Sequence, residues 1–535
     1  MTEPSAGPAA LSSATRRGTG NATEPVTFGS ILFLGDVRPT PGQLDEPQFF
    51  RDLNIDQIVD SVVAGREFYD LRPFFHAPLT DVDAIHYRHE VLRDLERPAL
   101  RDGIDEFAEK MRHMRDCLTM AAKLRYRYQK ERLFLDAVMT YGAAVSSLAR
   151  DLRLGSPSSR GLLAFRECVA AYADSGGFAD LYAEASQLDK NLSGIKYCLN
   201  IKGNRVRVSK YADELDYSNE VRETFEKFRQ GDVKDYRTRF STLLEMDHVE
   251  AGILQLVARL YPQVFQALDA FCERYQRYAD DVVNRFDREV QFYLAYLDYL
   301  APLRKTGLSF CYPDVSADTK EVYVADTFDL ALARKLVSDH APLVGNDVRL
   351  QGAERLLVIT GPNQGGKTTF ARTFGQLHYL ASIGCLVPGR DARVFLARDL
   401  LTHFEREEDL SNLSGKLQDD LQRIHRLLQR ATGSSVIILN EIFTSTTPAD
   451  GLYLSMKILK QVAALESLCV CVTFLDELAS FSPTTVSMVS MVVTENPAQR
   501  TFKVIRRPAD GFAYAAAIAD KYGLTYDRVK ARVSA

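Results

Sequence analysis

The sequence predicts a multidomain fold in which a mainly α-helical region, interrupted by a small β-containing insertion, precedes an α/β domain. With 535 residues, the chain is too long for a single hydrophobic core. Apolar residues recur at helical spacing before and after a short alternating stretch, and short apolar strands appear only later. The expected domains are 1–28, a disordered tail; 29–185, the first part of the helical region; 186–240, the insertion; 241–305, the second helical part; and 306–535, the α/β domain.

Composition, charge and cysteine usage limit the classes of protein to consider. With 46% apolar and 26% charged residues, the chain has the composition of a globular protein in water. Its net charge of −5 argues against a globally basic nucleic-acid coat, although a local basic patch stays open. No apolar run reaches the ~18–20 residues that span a bilayer, and no signal peptide is recognisable. We therefore expect a cytoplasmic protein with no membrane contact, whose eight cysteines are reduced and mostly buried.

The first helical part is predicted from helix starts and breaks. One apolar helix face extends through residues 82–95, and Asp81 is placed to cap its start. The pattern breaks at Pro98. His86 and His89 are one helical turn apart, but no cysteine or carboxylate cluster accompanies them, so the sequence predicts no metal site there.

A change of period at residues 196–208 predicts a β-hairpin. Large apolar residues alternate there on either side of a Lys-Gly-Asn turn. Such a hairpin could contact a phosphate backbone with its other face without reading sequence, or that face could be an ordinary solvated strand face. The sequence leaves both alternatives open. The basic residues assigned to this other face are Lys196, Lys202, Arg205, Arg207 and Lys210.

The strongest chemical signal is the stretch from Leu356 to Thr369. An apolar strand turns there into a loop that matches G-x-x-x-x-G-K-[ST], and an amphipathic helix follows. Backbone N–H groups of such a loop surround phosphate oxygens at the positive end of the helix dipole. Lys367 would reach the β- and γ-phosphates of ATP, and the Thr368 hydroxyl would bind Mg²⁺. The predicted phosphate-binding residues are Gly361, Pro362, Asn363, Gln364, Gly365, Gly366, Lys367, Thr368 and Thr369.

A second buried strand, at residues 436–439, predicts the rest of an ATPase site. Such a strand places an acidic pair at its carboxyl end, next to Mg²⁺ and the attacking water. Here the pair is Asn440-Glu441. Glu441 is placed to act as general base or to position the water, whereas Asn440 offers only a neutral carbonyl to the hydrated metal. The missing charge would slow hydrolysis while leaving nucleotide binding intact.

Two further segments are candidates for a site that a second copy completes. Ser414-Gly415 precedes a helix whose predicted apolar side includes Leu421, and the amino terminus of a helix is a ready anion site. In ATPases whose two heads sandwich nucleotide, such a segment caps the γ-phosphate on the partner, although helix capping alone would also explain Ser414. The turn that contains Asp450 follows Glu441 at a spacing that suits a second trans-acting loop.

These residues carry a resemblance to a known family. The loop at residues 361–369, the strand end at residues 440–442 and the segment at residues 473–478 resemble the MutS mismatch-repair ATPases, a branch of the ABC superfamily of P-loop NTPases. The lead-in at residues 342–350 is similar as well. Weaker similarity at residues 78–92 looks like the start of the family's lever domain.

The resemblance implies a homodimer formed through the ATPase domains, with helical levers and a clamp that closes around DNA when ATP and Mg²⁺ bind. The DNA would be duplex or branched and held by backbone contacts, with the hairpin at Lys196–Lys210 in or near the clamp. The site residues that the resemblance implies are Leu343 and Val344 beside the adenine, Ser414, Gly415 and Asp450 across the dimer, and Thr368, Asn440 and Glu441 at the metal.

Departures from the family pattern change what the resemblance implies. Too few residues precede the lever region to hold the family's mismatch-reading domain, so we expect a shortened form that does not recognise mispaired bases. Phe474 stands where the family usually has a histidine that couples nucleotide state to movement. Together with Asn440 it leaves two hypotheses: a slow Mg²⁺-ATPase whose dimer clamps DNA, or a nucleotide-dependent dimeric scaffold with little turnover that acts through protein partners.

Overall fold

The helices of the first half begin at residues that favour helix starts. Asp81 and Ser159 accept backbone hydrogen bonds as N-caps, from Ala84 N (3.2 Å) and Leu162 N (3.4 Å). Pro98 is the first residue of its helix, where a backbone N–H would have no helical partner. The predicted cap and the predicted break are therefore confirmed.

The computed structural model describes residues 28–35, 45–212, 246–405, 415–493, 496–509 and 526–533. Its first helices are α1 (Ile55–Val63), α2 (Arg72–His76), α3 (Val82–Leu95), α4 (Pro98–Lys123), α5 (Arg127–Gly155), α6 (Arg160–Ala173) and α7 (Gly176–Ser193).

The β-hairpin follows the last helix of the first helical part. α7 continues to Ser193, past the predicted boundary at 185. The predicted hairpin is then confirmed, with a two-residue turn at Gly203-Asn204 in which Gly203 adopts a left-handed φ of 60°. The hairpin strands are β1 (Tyr197–Lys202) and β2 (Arg205–Lys210), and the helices beyond the insertion are α8 (His248–Leu260), α9 (Pro262–Arg274) and α10 (Asp281–Lys305).

Short strands and helices alternate in the second half, as expected of an α/β domain. The first of them fall where short strands are predicted, near residues 308–324. They are β3 (Phe310–Cys311), β4 (Asp314–Ser316), β5 (Val322–Thr327), α11 (Leu330–Ser338), β6 (Asn346–Leu350), β7 (Leu356–Thr360), α12 (Lys367–Ser382), β8 (Val387–Pro388), β9 (Asp391–Phe395), β10 (Asp399–Phe404), α13 (Lys416–Arg430), β11 (Ser435–Asn440), α14 (Pro448–Ala464), β12 (Leu468–Val472), β13 (Thr485–Val493), β14 (Asn496–Arg506) and α15 (Tyr526–Val533).

A six-stranded sheet organises the α/β domain. Its strand order is β10-β11-β12-β7-β13-β14, and all neighbours are parallel except β13 and β14. The strands β7, β11 and β12 are buried along their whole length, as their continuous apolar runs require. Cys469 and Cys471 lie inside β12 and are buried, which confirms the packing interpretation. Because the parallel strands share one carboxyl edge, the loops that follow β7, β10 and β11 meet there.

The helix after the phosphate loop differs from the prediction. The sequence predicts an amphipathic helix, but α12 is buried on nearly all sides. It lies between the sheet and the helical half: a Cβ on Gly375 would be 2.6 Å from a methyl group of Leu53 and 2.7 Å from one of Ile438. Gln376 Nε2 also donates to Leu53 O at 2.8 Å. Helical spacing identifies one apolar face, whereas here a second layer covers the other face as well.

Two further predictions about burial are corrected. Leu421 is 37% exposed, because α13 buries the side that carries Ile424 and Leu427, and Leu421 is turned away from it. Phe28, the last residue of the predicted tail, is buried against the ring of Phe165, with centroids 5.2 Å apart. The rest of that tail lies outside the described residues. Within the described part of the chain, no helix has the length and apolar character needed to cross a bilayer.

Candidate functional site

The loop between β7 and α12 has the backbone geometry of a phosphate cradle. Gly361 (φ 114°), Gln364 (φ 58°) and Gly366 (φ 94°) all adopt left-handed conformations, and Gly366 caps the amino terminus of α12. A Cβ on Gly365 would lie 2.2 Å from Ser490 Oγ, so only glycine fits there. Ser490 Oγ, from β13, donates to Gly365 O at 2.6 Å and ties the loop to the neighbouring strand. The loop is therefore held with its N–H groups at a helix start, where an anion binds.

Lys367 is the cation of this loop and lies inside the protein. It is 4% exposed, and its Nζ donates to Gly361 O (2.9 Å) and Pro362 O (3.2 Å). The same Nζ lies 4.2 Å from the centroid of the Phe474 ring, which is a cation–π contact. Phe474 itself is 48% exposed. The lysine is therefore satisfied by dipoles and a ring, partners that a phosphate would outcompete.

Burial, together with two neighbouring charges, sets the pKa of Lys367. Burial lowers this pKa to about 8, Glu441 acts against the shift, and Arg500 adds to it. A buried ammonium with a lowered pKa gains from a nearby anion, because the anion restores the charged form. The electrostatics of the pocket thus favour a negatively charged ligand.

The outer wall of the loop comes from β14, which the sequence analysis did not assign to the site. Arg500 Nε donates to Asn363 O at 3.0 Å. Phe502 has a left-handed φ of 57°, and its backbone O would be 3.7 Å from a Cβ on Gly366. Asn346 Nδ2 holds that same oxygen at 3.1 Å. No local pattern marks these residues, because they reach the loop through strand pairing across more than a hundred positions of sequence.

The segment predicted to flank the adenine is tied to this wall. Leu343 and Val344 are half-buried just before β6, and Leu343 packs against the main hydrophobic core. Lys503 Nζ, also from β14, donates to Gly345 O. The structure therefore connects this segment with the strand that lines the phosphate loop, and the adenine contact itself stays a prediction.

The end of β11 carries the two residues predicted to face the metal and the water. Asn440 is buried, and its Oδ1 has no hydrogen-bond partner among the described residues. Glu441 has a left-handed φ of 53°, and its N–H donates to Val472 O at 2.9 Å. Burial raises the pKa of Glu441, Lys367 acts against this shift, and Glu405 adds to it. A carboxylate with a raised pKa is a better proton acceptor near neutral pH, as a general base requires.

The predicted Mg²⁺ site offers few protein ligands. Within the described residues, no group of three or more His, Cys, Asp or Glu could hold a metal ion. Mg²⁺ commonly uses one or two protein ligands together with substrate phosphates, so a nucleotide-dependent site does not need such a group. Thr368 lies in the first turn of α12, and the unpartnered Asn440 Oδ1 is an acceptor that a hydrated ion would satisfy. Thr368, Asn440 and Glu441 therefore fit a metal shared with phosphate.

The histidine pair of α3 is a packing feature. The rings of His86 and His89 are 6.3 Å apart, and His89 contacts the ring of Tyr312 edge-on at 5.2 Å. Burial lowers the pKa of His89 to about 3. This neutral ring belongs to the interface between α3 and the start of the α/β domain.

The candidate trans-acting residues are placed only in part. Ser414 lies outside the described residues, and Gly415 is the exposed N-cap of α13. Asp450 is exposed in the first turn of α14, where its Oδ2 accepts from Thr447 Oγ1 at 2.8 Å. Because Thr447 is the N-cap of that helix, Asp450 takes part in local capping. A role across a dimer stays a prediction for all three predicted residues.

The hairpin does not carry all five basic residues on one face. Lys210 pairs directly with Tyr197, so these side chains share a face, and Lys210 Nζ lies 5.3 Å from the centroid of the Tyr261 ring. Lys202 and Arg205 are paired on the opposite face, together with Arg207. The prediction for Lys210 is therefore corrected, because the strand register places it on the apolar face. Lys196 precedes β1, and its Nζ contacts the ring of Tyr211 at 5.8 Å.

Part of this chain is similar to known proteins. A family model described as MutS domain V matches residues 357–529. This part of the chain, residues 357–529, is therefore similar to domain V of the MutS proteins. Its relatives include proteins named DNA mismatch repair protein MutS. That of Caldicellulosiruptor bescii is 25% identical over 294 residues, 53% of this chain and 32% of that protein. That of Caldicellulosiruptor saccharolyticus is 26% identical over 295 residues, with the same two shares. That of Orientia tsutsugamushi strain Boryong is 24% identical over 220 residues, 40% of this chain and 25% of that protein.

The MutS match covers most of the candidate site, apart from the segment around Leu343 and Asn346. The matched range begins inside β7 and contains the phosphate loop, Glu441 and the wall from β14. The chain spans about a third of the length of the Caldicellulosiruptor MutS proteins and a quarter of the Orientia protein. The helical half, including the hairpin, lies before the range of the family model.

Proposed function

We propose that this chain is a MutS-related ATPase that binds ATP with Mg²⁺ at residues 361–369 and couples binding, with slow hydrolysis, to clamping of DNA. The phosphate loop carries the proposal. A buried strand ends in a loop with left-handed glycines at both ends, and buried Lys367 begins the helix that follows. The MutS domain V match over the same residues supports this function. A part in DNA mismatch repair, which the relatives' names state for them, belongs to the proposal as well.

Hydrolysis is assigned to Glu441 acting on water beside the γ-phosphate. Its raised pKa and its place beyond the end of β11 support a general-base role. When bound, Mg²⁺ neutralises phosphate charge, and Thr368, Asn440 and Glu441 are the residues that would hold it. Asn440 adds no charge there, so we expect turnover to be slow.

Steady-state phosphate release tests the proposal. Lys367→Ala should abolish turnover by weakening ATP binding, whereas Glu441→Gln should abolish turnover and retain ATP binding. Lys335→Ala, which changes an exposed lysine on α11, is the matched control and should leave both unchanged. Turnover that survives in Glu441→Gln would overturn the assignment of the base. ATP binding that is undetectable in the unchanged chain would overturn the proposed function.

Dimerisation is proposed to occur through the ATPase domains, with two copies enclosing the nucleotide. The exposed positions of Gly415 and Asp450 support this arrangement. Sedimentation of Glu441→Gln with and without ATP should show an ATP-dependent dimer. Asp450→Ala should weaken this ATP-dependent dimer. The control variant, Thr447→Ala, removes the N-cap of the same helix and shows how much of the loss of dimer is due to helix stability alone. A protein that stays monomeric at saturating ATP would refute the two-head arrangement.

DNA contact is proposed for the face of the hairpin that carries Lys202, Arg205 and Arg207. Three exposed cations on one strand face support a phosphate-backbone contact. Affinity for duplex or four-way-junction DNA should fall steeply with salt, and Arg205→Glu/Arg207→Glu should lower it and reduce the salt slope without changing ATP affinity. The control, Arg150→Glu/Arg153→Glu, reverses two exposed charges on α5. No binding at low salt, with or without ATP, would refute the clamp.

A second function is favoured by two observations at the same site. Asn440 lacks the charge usual beside Mg²⁺, and Phe474 holds Lys367 through its ring. Both would suit a nucleotide-dependent scaffold in which ATP joins two copies with little turnover. Equal, near-zero rates in the unchanged chain, Lys367→Ala and Glu441→Gln, together with ATP-dependent dimers, would select this alternative.

A further inference from the structure

A carboxylate that the proposed site does not use lies beyond the end of β10. β10 and β11 are parallel neighbours, and Phe404 is paired with Asn440 at their carboxyl ends. Glu405 and Glu441 are therefore the first residues beyond adjacent strand ends. Because neighbouring strands lie about 4.8 Å apart, these two residues leave the sheet side by side at the same edge.

The same edge contains an acceptor without a partner. Asn440 is 6% exposed, and its Oδ1 makes no hydrogen bond to the described residues. A buried polar atom left unpaired in this way is costly unless a ligand or ion completes it. The neutral amide also leaves Glu441 as the one acid of the predicted pair at the end of β11.

We propose that Glu405 supplies the negative charge that Asn440 lacks, so that carboxylates just beyond the ends of both β10 and β11 would hold the Mg²⁺ that accompanies the triphosphate. This inference rests on the proposed function, because it assigns a further residue to the same nucleotide site. It assigns Glu405 a positioning role toward the ion, and Mg²⁺ sites that use one or two carboxylates besides phosphate oxygens are common.

The contacts of Glu405 offer a competing explanation. Its Oε1 accepts from Lys416 Nζ at the start of α13 and from Thr444 Oγ1 (3.0 Å) in the loop after Glu441. These contacts alone would make Glu405 an anchor for α13 and for that loop. The two roles differ in what Lys416 does. An anchor needs Lys416, whereas for a metal-positioning carboxylate Lys416 is a competitor that an ion would replace.

Equilibrium binding of Mn²⁺ in the presence of ADP separates the two roles without requiring turnover. Free Mn²⁺ is measured by electron paramagnetic resonance, and ADP affinity is measured separately in EDTA. Glu405→Gln should weaken Mn²⁺ binding about tenfold and leave ADP affinity in EDTA within twofold of the unchanged chain. Lys416→Met should leave Mn²⁺ binding equal or tighter. If both variants weaken Mn²⁺ binding alike, Glu405 is an anchor and the inference is wrong.

Restoring the missing charge gives an independent test. Asn440→Asp should tighten Mn²⁺ binding more in a Glu405→Gln background than in the unchanged chain, because one added carboxylate then replaces another. Equal gains in both backgrounds would overturn the inference, because they would show that the effect of a charge at position 440 does not depend on Glu405. Failure of the unchanged chain to bind ADP would instead refute the proposed function.

Discussion

Replacing Phe474 by leucine should tighten nucleotide binding. In the free protein, Lys367 Nζ lies 4.2 Å from the centroid of the Phe474 ring. A charge-assisted bond to phosphate is stronger than a ring contact, so the lysine should leave the ring when nucleotide binds. The contact would then stabilise only the free state and act against binding. Leucine keeps an apolar side chain at this position but removes the π face.

The structure sets the size of this effect. Cation–π contacts contribute from about 0.5 kcal/mol at exposed sites to about 2 kcal/mol when desolvated. Lys367 is 4% exposed but Phe474 is 48% exposed, which places this contact near the middle of that range, about 1 kcal/mol. Losing it from the free state alone should lower the Kd for ATP about fivefold.

Titration with a fluorescent ATP analogue in the absence of Mg²⁺ measures this directly. Phe474→Tyr retains the ring and should bind like the unchanged chain. In a Lys367→Met background, Phe474→Leu should have no effect, because no cation remains to be released. An unchanged or higher Kd in Phe474→Leu alone would refute the reasoning, since it would mean that the contact persists with nucleotide bound.

Three further predictions concern the loop, the helical half and the wall. Gly365→Ala should abolish nucleotide binding, because its Cβ would lie 2.2 Å from Ser490 Oγ, and adding Ser490→Ala should restore part of the affinity measured by the same titration. Burial raises the pKa of Asp287 from 3.8 to about 6, and Arg115 acts against this shift. Between these two pH values the folded protein binds more protons than the unfolded chain, so the free energy of unfolding falls as the pH rises from one to the other. Asp287→Asn should flatten that fall in denaturant titrations between about pH 4 and about pH 6, and an unchanged slope would contradict the assignment. Arg500→Ala should weaken ATP binding severalfold without lowering the melting temperature by more than a few degrees, since the side chain is on the surface and contacts the loop through Asn363 O.

The parts of the site that could be predicted from the sequence are those encoded within one strand, loop and helix. Short stretches of sequence encode three features of the site: the glycines at Gly361 and Gly366, the lysine that begins α12, and Glu441 after a continuous apolar strand. Such patterns identify residue types whose backbone conformation or chemistry has few alternatives. The hairpin turn at Gly203-Asn204 was predictable for the same reason.

The remaining parts depend on which strands become neighbours. Ser490 and Arg500 reach the loop because β13 pairs with β7 and β14 with β13, and Glu405 approaches Glu441 because β10 pairs with β11. No spacing in the sequence encodes strand order, so these contacts had no local signal. Lys210 was assigned to the wrong face of the hairpin for a related reason, since register decides on which face a side chain lies.

The burial of α12 on both sides has a mechanical consequence for the proposed coupling. Lys367 begins this helix at the phosphate loop, and beyond its other end Ile383 O accepts from Arg88 Nη1 of the helical half at 2.7 Å. Between these ends, Gln376 Nε2 donates to Leu53 O, and at Gly375 the packing is so close that a Cβ would lie 2.6 Å from a methyl group of Leu53. A shift of α12 on phosphate binding would therefore also move the segment around Leu53 and the helix that carries Arg88. Adjustments within the α/β domain alone could not accommodate such a shift. An amphipathic helix with its polar face in water would have left that face free to move without such a response.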